Sequence, residues 1–324
     1  MNNYHRLLRP LLLLLAIMSA GIAWAGASHA IELAYKPAVG SRWVGTLEMR
    51  ETKTKGGQAA ESTIMREKGE YRILRKLDKG YHIAYTLQDG SIEGNTPLAK
   101  LMTPFVQSLK GQSYTFETNE EGVPIRMPDV AKVKAVTLKA FDAALQSLPE
   151  LSSVPQMKQF FGGMRSQYNA ATPETGAQLF LTNLLFFTLV QGLPDVPVGE
   201  VQTYDDKVIN PITGTIMPAK GSVKIASVDQ SAGMATVEWS QTIAPEELKK
   251  SMIEAVKRIV PNAAQGSKEF ADALGQVKID RLDKATYKVA IADGVVRRMD
   301  KTTVVKTQAG EKKTLLTMTM LPAN

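Results

Sequence analysis

The stretch RWVGTLEMR at residues 42–50 places Trp43, Leu47 and Met49 at alternate positions, with polar or charged side chains between them. A period of two predicts a β-strand with one buried face and one face in water. The same alternation returns at 70–75 and 81–87. We therefore expect several strands of an antiparallel sheet that faces water on one side.

Three further patterns follow these strands. Apolar residues recur with a helical period of 3.6 over 98–109 and again over 130–148, which predicts two amphipathic helices. The segment 113–123 alternates and then reaches two acids before Gly122, which predicts a hairpin. Residues 179–190 are apolar on nearly every side, so we expect a helix enclosed by protein, or by a partner or lipid.

The order of elements over 39–127 recurs over 198–299, which predicts an internal repeat. In each copy a Val-Gly pair follows a proline, strands come next, and then a helix, at 97–109 in the first copy and 245–260 in the second. A strand-turn-strand unit closes both copies. The alternative is that any antiparallel protein yields this succession twice by accident.

The predicted fold class is α+β, with two related antiparallel β-rich halves forming a curved sheet and an inserted helical segment covering one face. The sequence divides into these predicted parts: a signal peptide at 1–30, an N-terminal β-rich half at 31–127, a helical insert at 128–195, and a C-terminal β-rich half at 196–324 with an inserted helical pair at 245–274.

Residues 1–30 have the pattern of a signal peptide, with Arg6 and Arg9 before an apolar run and small residues near the end. Cleavage after Ala25, Ala27 or Ala30 is compatible with this pattern. We favour Ala30, because the next residues already look like folded-domain sequence; an uncleaved anchor is the alternative. No later stretch reaches about 18 apolar residues, so we expect a soluble exported protein, periplasmic if the source is a Gram-negative bacterium.

Composition excludes several kinds of chemistry. The chain has 39 Lys and Arg, 32 Asp and Glu, three His and no Cys, and outside the predicted leader the only histidine is His82. A thiol nucleophile, a cysteine zinc site and a cysteine-ligated cluster are therefore excluded. His82 lies in a strand pattern, and no Gly-x-Ser-x-Gly motif is present. We assign no catalytic residue, no metal and no cofactor.

Paired acids are the remaining candidates for catalysis. The pair at 120–121 lies at a turn, and the pair at 246–247 lies in the first turn of a predicted helix, where acids suit the helix dipole. Asp205 and Asp206 lie in a strand pattern without such a role. They could serve an envelope hydrolase, although solvent exposure is the simpler interpretation.

Basic residues are concentrated in the C-terminal strands, where an anionic surface is a possible weak partner. No aromatic residues are interleaved with them, and export separates the chain from nucleic acid, so we expect no nucleic-acid binding. The residues concerned are Arg297, Arg298, Lys312 and Lys313.

The segment Tyr35-Lys36-Pro37-Ala38-Val39-Gly40-Ser41-Arg42-Trp43 resembles the opening of a broad family of exported (periplasmic) bacterial proteins of uncharacterised function. In that family an aromatic residue and a following glycine introduce the first strand, and a glycine-centred hairpin comes later. The predicted architecture is also similar to the envelope lipoprotein-carrier fold, which holds acyl chains between a curved sheet and helices. This second likeness implies a lipid or acyl ligand by architectural analogy.

We therefore predict a non-enzymatic binding protein of the cell envelope that holds an apolar ligand, a lipid or acyl group, or else a hydrophobic partner segment, between sheet and helices. A hydrolase using Asp205 and Asp206 and an assembly factor without a pocket are the alternatives. The predicted lining consists of large apolar side chains from the helices, each of which could instead be plain core: Met102, Phe105, Phe141, Phe160, Phe161, Phe180, Phe186 and Phe187.

Overall fold

The computed structural model describes residues 30–31, 33–55, 62–94, 97–146, 155–181, 196–209, 216–259, 278–308 and 310–323. Strands predominate in these residues. They are β1 (Ala30–Ile31), β2 (Arg42–Thr54), β3 (Ser62–Leu77), β4 (Gly80–Glu93), β5 (Ser113–Thr118), β6 (Pro124–Arg126), β7 (Val196–Pro197), β8 (Val201–Ile209), β9 (Ile216–Asp229), β10 (Met234–Ile243), β11 (Ile279–Ala290), β12 (Val296–Thr307) and β13 (Gly310–Pro322).

Five helices are present in the described residues, and they include the helices predicted to begin near 97, 130 and 245. Their bounds are α1 (Pro97–Ser108), α2 (Val130–Gln146), α3 (Pro155–Ala170), α4 (Pro173–Phe180) and α5 (Pro245–Ile259). The predicted helix at 179–190 is only partly covered: residues 179 and 180 end α4, and residues 182–195 lie outside the described part of the chain. The second member of the predicted helical pair at 245–274 also lies outside it.

Eleven strands form one antiparallel sheet in the order β6-β5-β4-β3-β2-β13-β12-β11-β10-β9-β8, and β1 pairs separately with β7. The predicted fold class, α+β with two β-rich halves and an inserted helical segment, is wrong. The last strand is the physical reason. β13 hydrogen-bonds to β2 on one side and to β12 on the other, so both sets of strands belong to one mostly β structure.

The two faces of the sheet differ in composition because side chains alternate along each strand. We call the face that carries the apolar core the inner face and the opposite face the outer face. One continuous core cluster extends along the inner face from Phe116 through Leu47 and Met318 to Trp239. Outer-face residues are mainly exposed and form cross-strand ion pairs, such as Arg66 with Glu48.

The helices lie on the inner face. α1 packs on β4, α2 packs on α1, and α3 contacts both α2 and α5. α5 in turn packs on β9 and β11, and α4 packs beside β6. The start of α4 is fixed by a capping box, in which the Thr172 side chain accepts a hydrogen bond from the Thr175 backbone N–H and the Thr175 side chain accepts one from the Thr172 backbone N–H. A helical layer thus crosses from one part of the sheet to the other.

The chain order of elements is the same on both sides of β13, with three strands, a helix and two strands in each case. Gly40 and Gly199 also occupy equivalent positions. Each has a positive φ, +85° and +91° respectively, and each backbone N–H donates to a carbonyl 2.8 Å away, that of Ile73 or Ile225. An ancestral duplication remains a prediction that superposition of residues 36–127 on 196–300 would test.

The N-terminal segment closes one end of the inner face. Leu33 is buried, Tyr35 packs edge-on against Tyr81 with ring centroids 5.4 Å apart, and the Lys36 N–H donates to the Asp293 carbonyl at 2.8 Å. Ala30 pairs with Pro197, one residue before the mature start predicted at residue 31. Residues 1–29 lie outside the described part, so the signal peptide stays a prediction.

Shortening Met318 to Ala should loosen both sides of the sheet, because this side chain is 2% exposed and belongs to the strand that both sides share. We expect a loss of about 2 to 5 kcal/mol and faster amide hydrogen exchange in β2 and in β12. Leu321→Ala is the control, since Leu321 is 61% exposed on the same strand. Faster exchange on one side only would contradict a single sheet.

Candidate functional site

A cavity of about 230 Å³ lies between the inner face of the sheet and the helices. We call it the helix–sheet cavity. β3, β4 and β5 form its floor, and the four helices α1 to α4, with the residues that directly follow α1 and α4, supply the remaining walls. Its described lining is predominantly apolar and consists of Met65, Glu67, Tyr85, Leu87, Met102, Phe105, Val106, Leu109, Tyr114, Val133, Thr137, Tyr168, Leu179, Phe180 and Leu181.

The ring of Tyr85, which forms part of the floor, lies over a glycine of the neighbouring strand. The Tyr85 ring crosses Gly69 on the neighbouring strand so closely that a Cβ atom at that glycine would overlap the ring. Tyr71 covers Gly45 in the same way, and its ring centroid lies 4.9 Å from that of Tyr85. Glycine in a strand permits this close approach, and the ring covers backbone that would otherwise be bare.

A single carboxylate, that of Glu67, interrupts this floor. Glu67 is half-buried, and the Tyr85 hydroxyl donates a hydrogen bond to it. Burial is the main cause that raises the pKa of Tyr114 to about 12, and the nearby carboxylates of Glu67 and Asp129 contribute to the same shift. Burial also raises the pKa of Tyr85 far above its ordinary value, with smaller contributions from Tyr71 and Glu67. Both phenols are therefore neutral near pH 7 and retain a proton to donate.

The structure brings three of the predicted lining residues together and separates one from them. Met102, Phe105 and Phe180 line the cavity, and Phe180 stacks on Tyr168 with ring centroids 5.4 Å apart. Phe141 is 1% exposed and packs edge-on against Phe105 in a second core cluster between α1 and α2, so it supports a wall from behind.

Four predicted residues cannot be placed. Phe160 and Phe161 lie in α3, but their side chains are outside the described part of the structure, as are Phe186 and Phe187 entirely. Ligand binding by the predicted set therefore stays a prediction.

Sequence reasoning missed the polar floor. The signal was available in β3, where inner positions run Met65, Glu67, Gly69, Tyr71, Ile73. A charged residue and a glycine at adjacent inner positions interrupt an otherwise apolar row. An inward acid on a strand indicates either a buried partner or a ligand, and Tyr85 is a partner that only the pairing of β3 with β4 reveals.

The two proposed hydrolase residues are neighbours on β8 and both border the open groove described next, but their side chains alternate along the strand. Asp206 lies on the inner face, where its Oδ2 accepts a hydrogen bond from Gln241 Nε2 at 2.6 Å. Asp205 is its exposed neighbour along β8, and alternation turns its side chain to the outer face. The two carboxylates therefore cannot act on one substrate atom from the same side.

An open groove of about 960 Å³ lies along the outer face at this end of the sheet, over β8 to β12 and the start of α5. Asp205 and Asp206 both belong to its lining together with Lys220, and Ile216 and Leu282 contribute exposed apolar surface. The groove has the sheet on one side and no helical roof among the described residues, in contrast to the helix–sheet cavity.

A second polar group is buried on the inner face, around Asp283, which is 1% exposed. Thr303 donates to this carboxylate, Arg281 Nε lies 2.8 Å from it, and Lys301 Nζ lies 3.5 Å from it and 5.2 Å from the centre of the Trp239 ring. Burial alone raises the pKa of Asp283, but the two cations and the hydrogen bonds hold that pKa below its ordinary value. This group is an internally compensated ion cluster.

The predicted basic surface is dispersed. Arg297 donates to Asp293 at 2.6 Å, Arg298 is bound to Asp300, and Lys312 lies 2.6 Å from Glu51. Lys313 is exposed. Contact of these residues with an anionic surface remains a prediction.

His82 is half-buried, and its Nε2 is buried with no hydrogen-bond partner among the described atoms. The described residues contain no group of three or more acids and histidines that could hold a metal ion. Within the same residues, no helix has the length and apolarity needed to cross a membrane.

No protein-family model matches the chain, and no curated protein matches it. Among solved structures, it is similar to lipovitellin, in a structure of its lipid–protein interactions, at 8% identity and a TM-score of 0.44. That likeness covers 89% of this chain but only 25% of the lipovitellin chain. It is also similar to an outer membrane channel from Pseudomonas putida F1, at 7% identity and a TM-score of 0.22, covering 89% of this chain and 97% of the other.

Replacing Gly69 by Ala should displace the Tyr85 ring from the floor, because the added Cβ would overlap it. We expect a loss of about 1 to 3 kcal/mol in the free energy of unfolding, measured by chemical denaturation. Gly162→Ala is the control, since a Cβ there meets nothing within 4 Å in α3, and it should stabilise by about 0.5 to 1 kcal/mol. Equal effects of the two changes would contradict the tyrosine floor.

The Asp283 cluster should make the free energy of unfolding depend on pH in the acidic range. A carboxyl group whose pKa is lowered by folding stabilises the protein above its unfolded pKa of about 3.9, and this contribution is lost as pH falls through the folded value. Asp283→Asn should cost about 1 to 3 kcal/mol at pH 7, because it removes a buried carboxylate that accepts hydrogen bonds from Thr303 and Arg281 and pairs with two partly buried cations. It should also flatten the pH dependence of the unfolding midpoint below about pH 4.

Asp280→Asn is the matched control for this change, because Asp280 lies exposed on the outer side of the same strand. It should leave both the midpoint at pH 7 and its acid dependence nearly as they are in the parent protein. An acid dependence that survives intact in Asp283→Asn would rule out the proposed role of this carboxylate.

Proposed function

We propose that this protein is an exported, non-enzymatic binding protein of the cell envelope that holds an apolar ligand in the helix–sheet cavity. The observation that carries the proposal is the predominantly apolar space between the sheet floor and helices α1 to α4. Ligand sites are typically concave and apolar with a few placed polar groups. Glu67 and the tyrosines supply such groups here.

The volume of the cavity limits the ligand. Sites for drug-sized molecules usually measure about 300 to 1,000 Å³, whereas this one measures about 230 Å³. It therefore suits one narrow chain, such as a single acyl or alkyl tail, in preference to the complete body of a lipid with several chains. Any larger part of a ligand would extend past the cavity.

The lining has the composition that a flexible chain needs. Met102 and Met65 offer adaptable, polarisable side chains from opposite walls. Phe105 and Phe180 offer rigid aromatic surface, and each ring is held by another aromatic residue that packs against it. A wall that is supported from behind can contact a ligand without losing the packing of the core.

A comparison of Phe180→Ala with Phe141→Ala distinguishes a residue that contacts the ligand from a residue that only packs in the core. Phe180 is half-buried and lines the cavity. Its replacement should weaken the affinity for an apolar ligand about tenfold, and this should lower the fraction of purified protein that carries such a molecule. Phe141 does not line the cavity, so its replacement should cost about 3 to 5 kcal/mol in stability with a smaller effect on retention.

Retention would be measured by native mass spectrometry of protein purified from its own envelope, and stability by thermal unfolding. A parent protein that carries no apolar mass and takes up none when offered it would defeat the proposal. Equal loss of retention in both variants would place the ligand elsewhere.

A further inference from the structure

We infer that the outer face of the C-terminal strands docks on a membrane surface that carries anionic lipids. This inference goes beyond the proposed function, because the surface lies on the opposite face of the sheet from the helix–sheet cavity. It is formed by the outward-facing residues of β8 to β13 that surround Leu282, and we call it the outer patch. The open groove described above runs across it.

The centre of the outer patch is apolar. Leu282 on β11 lies directly opposite Val304 on β12, and both line the open groove together with Ile216. Leu315 on β13 belongs to the neighbouring cross-strand row. Ile216, Leu282 and Leu315 are 57%, 37% and 40% exposed, so water contacts a large part of each side chain. Exposed apolar side chains grouped in this way are typical of an interaction surface.

Lysines surround this apolar centre. The cross-strand row that contains Leu282 continues to Lys220 on β9 in one direction and to Lys313 on β13 in the other. Lys207 and Lys284 face outward beside this row, and all four lysines are exposed. In the part of the chain that the structure describes, none of the four forms an ion pair with an acid.

Three carboxylates offset part of this positive charge. Asp205 lies directly opposite Lys220 on the neighbouring strand, and Asp280 lies directly opposite a fifth lysine, Lys306. Lys306 Nζ is also 3.8 Å from the Glu311 carboxylate. Five lysines therefore stand against three carboxylates, so the outer patch has an excess of positive charge.

The outer face of the N-terminal strands has a different arrangement of charge. There Arg42 pairs with Glu70 at 2.8 Å, and Arg66 pairs with Glu48 at 2.9 Å. Pairs at this distance neutralise each other. The four lysines of the outer patch that form no ion pair can instead reach toward an external anion, because their side chains are long and flexible.

The composition of the outer patch favours a membrane over a protein partner. Protein interfaces are depleted in lysine and enriched in arginine and aromatic residues, whereas the residues named for the patch include five lysines, no arginine and no aromatic residue. Lysines close to an anionic leaflet each add to membrane affinity, and exposed aliphatic side chains can enter the headgroup region. The patch extends about 24 Å across six adjacent strands, so it can contact several headgroups at once.

The experiment measures how the mature chain partitions, by co-sedimentation, onto vesicles of phosphatidylcholine alone or of equal parts phosphatidylcholine and phosphatidylglycerol. We expect at least about tenfold stronger partitioning onto the anionic vesicles. The combined change Lys207→Gln, Lys220→Gln and Lys313→Gln should lower that partitioning at least about tenfold. Ile216→Ser with Leu282→Ser should lower it about fivefold.

The matched control replaces Lys76, Lys79 and Lys132 by Gln, because these exposed lysines lie outside the outer patch and the change removes the same charge. It should alter partitioning less than about twofold. Equal partitioning onto both kinds of vesicle, or equal losses in the two triple variants, would overturn the inference. The lysine variant and the apolar variant test the patch independently, so either one that thermal unfolding shows to be folded decides the matter.

A second copy of the chain is the other occupant that the experiment can detect. Self-association in analytical ultracentrifugation that Leu282→Ser abolishes, without binding to vesicles, would assign the outer patch to a dimer and overturn the inference. Retention of an apolar molecule in the helix–sheet cavity is measured separately, so failure here leaves the proposed function standing.

Discussion

The pairing of β13 with β2 on one side and β12 on the other determines the whole structure. Without this strand, residues from β2 to β6 and residues from β8 to β12 would form two five-stranded sheets, each with an extra open edge. Open edges expose unpaired backbone groups and favour aggregation. With β13 in place, a single inner face extends across eleven strands and must be covered, which is the task of the helical layer.

The helices that cover the inner face of the sheet create the cavity. Two elements pack without gaps only where their side chains interdigitate, and in the floor under α1 to α4 the Tyr85 ring crosses over Gly69 of the neighbouring strand. A ring that covers its neighbouring strand does not project between the side chains of a facing helix. A space remains above Tyr85 and Tyr114, bounded by Met102, Phe105 and Phe180. The Glu67 carboxylate then gives this apolar space one polar side.

The elements were largely predictable from the sequence, while their assembly was not. Alternation at 42–50, 70–75 and 81–87 lies within β2, β3 and β4, and the helices predicted near 97 and 245 are α1 and α5. Alternation indicates that a segment forms a strand, but it does not specify which strands will pair with it. The expectation of two halves failed because β13 pairs on both sides.

The use of the predicted site by a ligand stays a prediction. Helical periodicity identifies Met102 and Phe105 as inward-facing, Phe180 was chosen because its segment is apolar on nearly every side, and all three lie in the lining of the cavity. Phe141 has the same periodicity but faces a neighbouring helix, a distinction that depends on helix packing and is invisible in one sequence. Asp205 and Asp206 looked like a pair because they are adjacent, and adjacency along a strand places side chains on opposite faces.

The most direct measurement of the central claim is a crystal structure of the protein with 12-bromododecan-1-ol, using the anomalous signal of bromine to locate the chain. The account predicts a bromine peak or continuous alkyl density between β4 and α1, in contact with Met102 and Phe180, the residues that line the helix–sheet cavity. Bromine located only in the outer groove beside Ile216 and Leu282, or an unoccupied helix–sheet cavity at saturating probe, would contradict it.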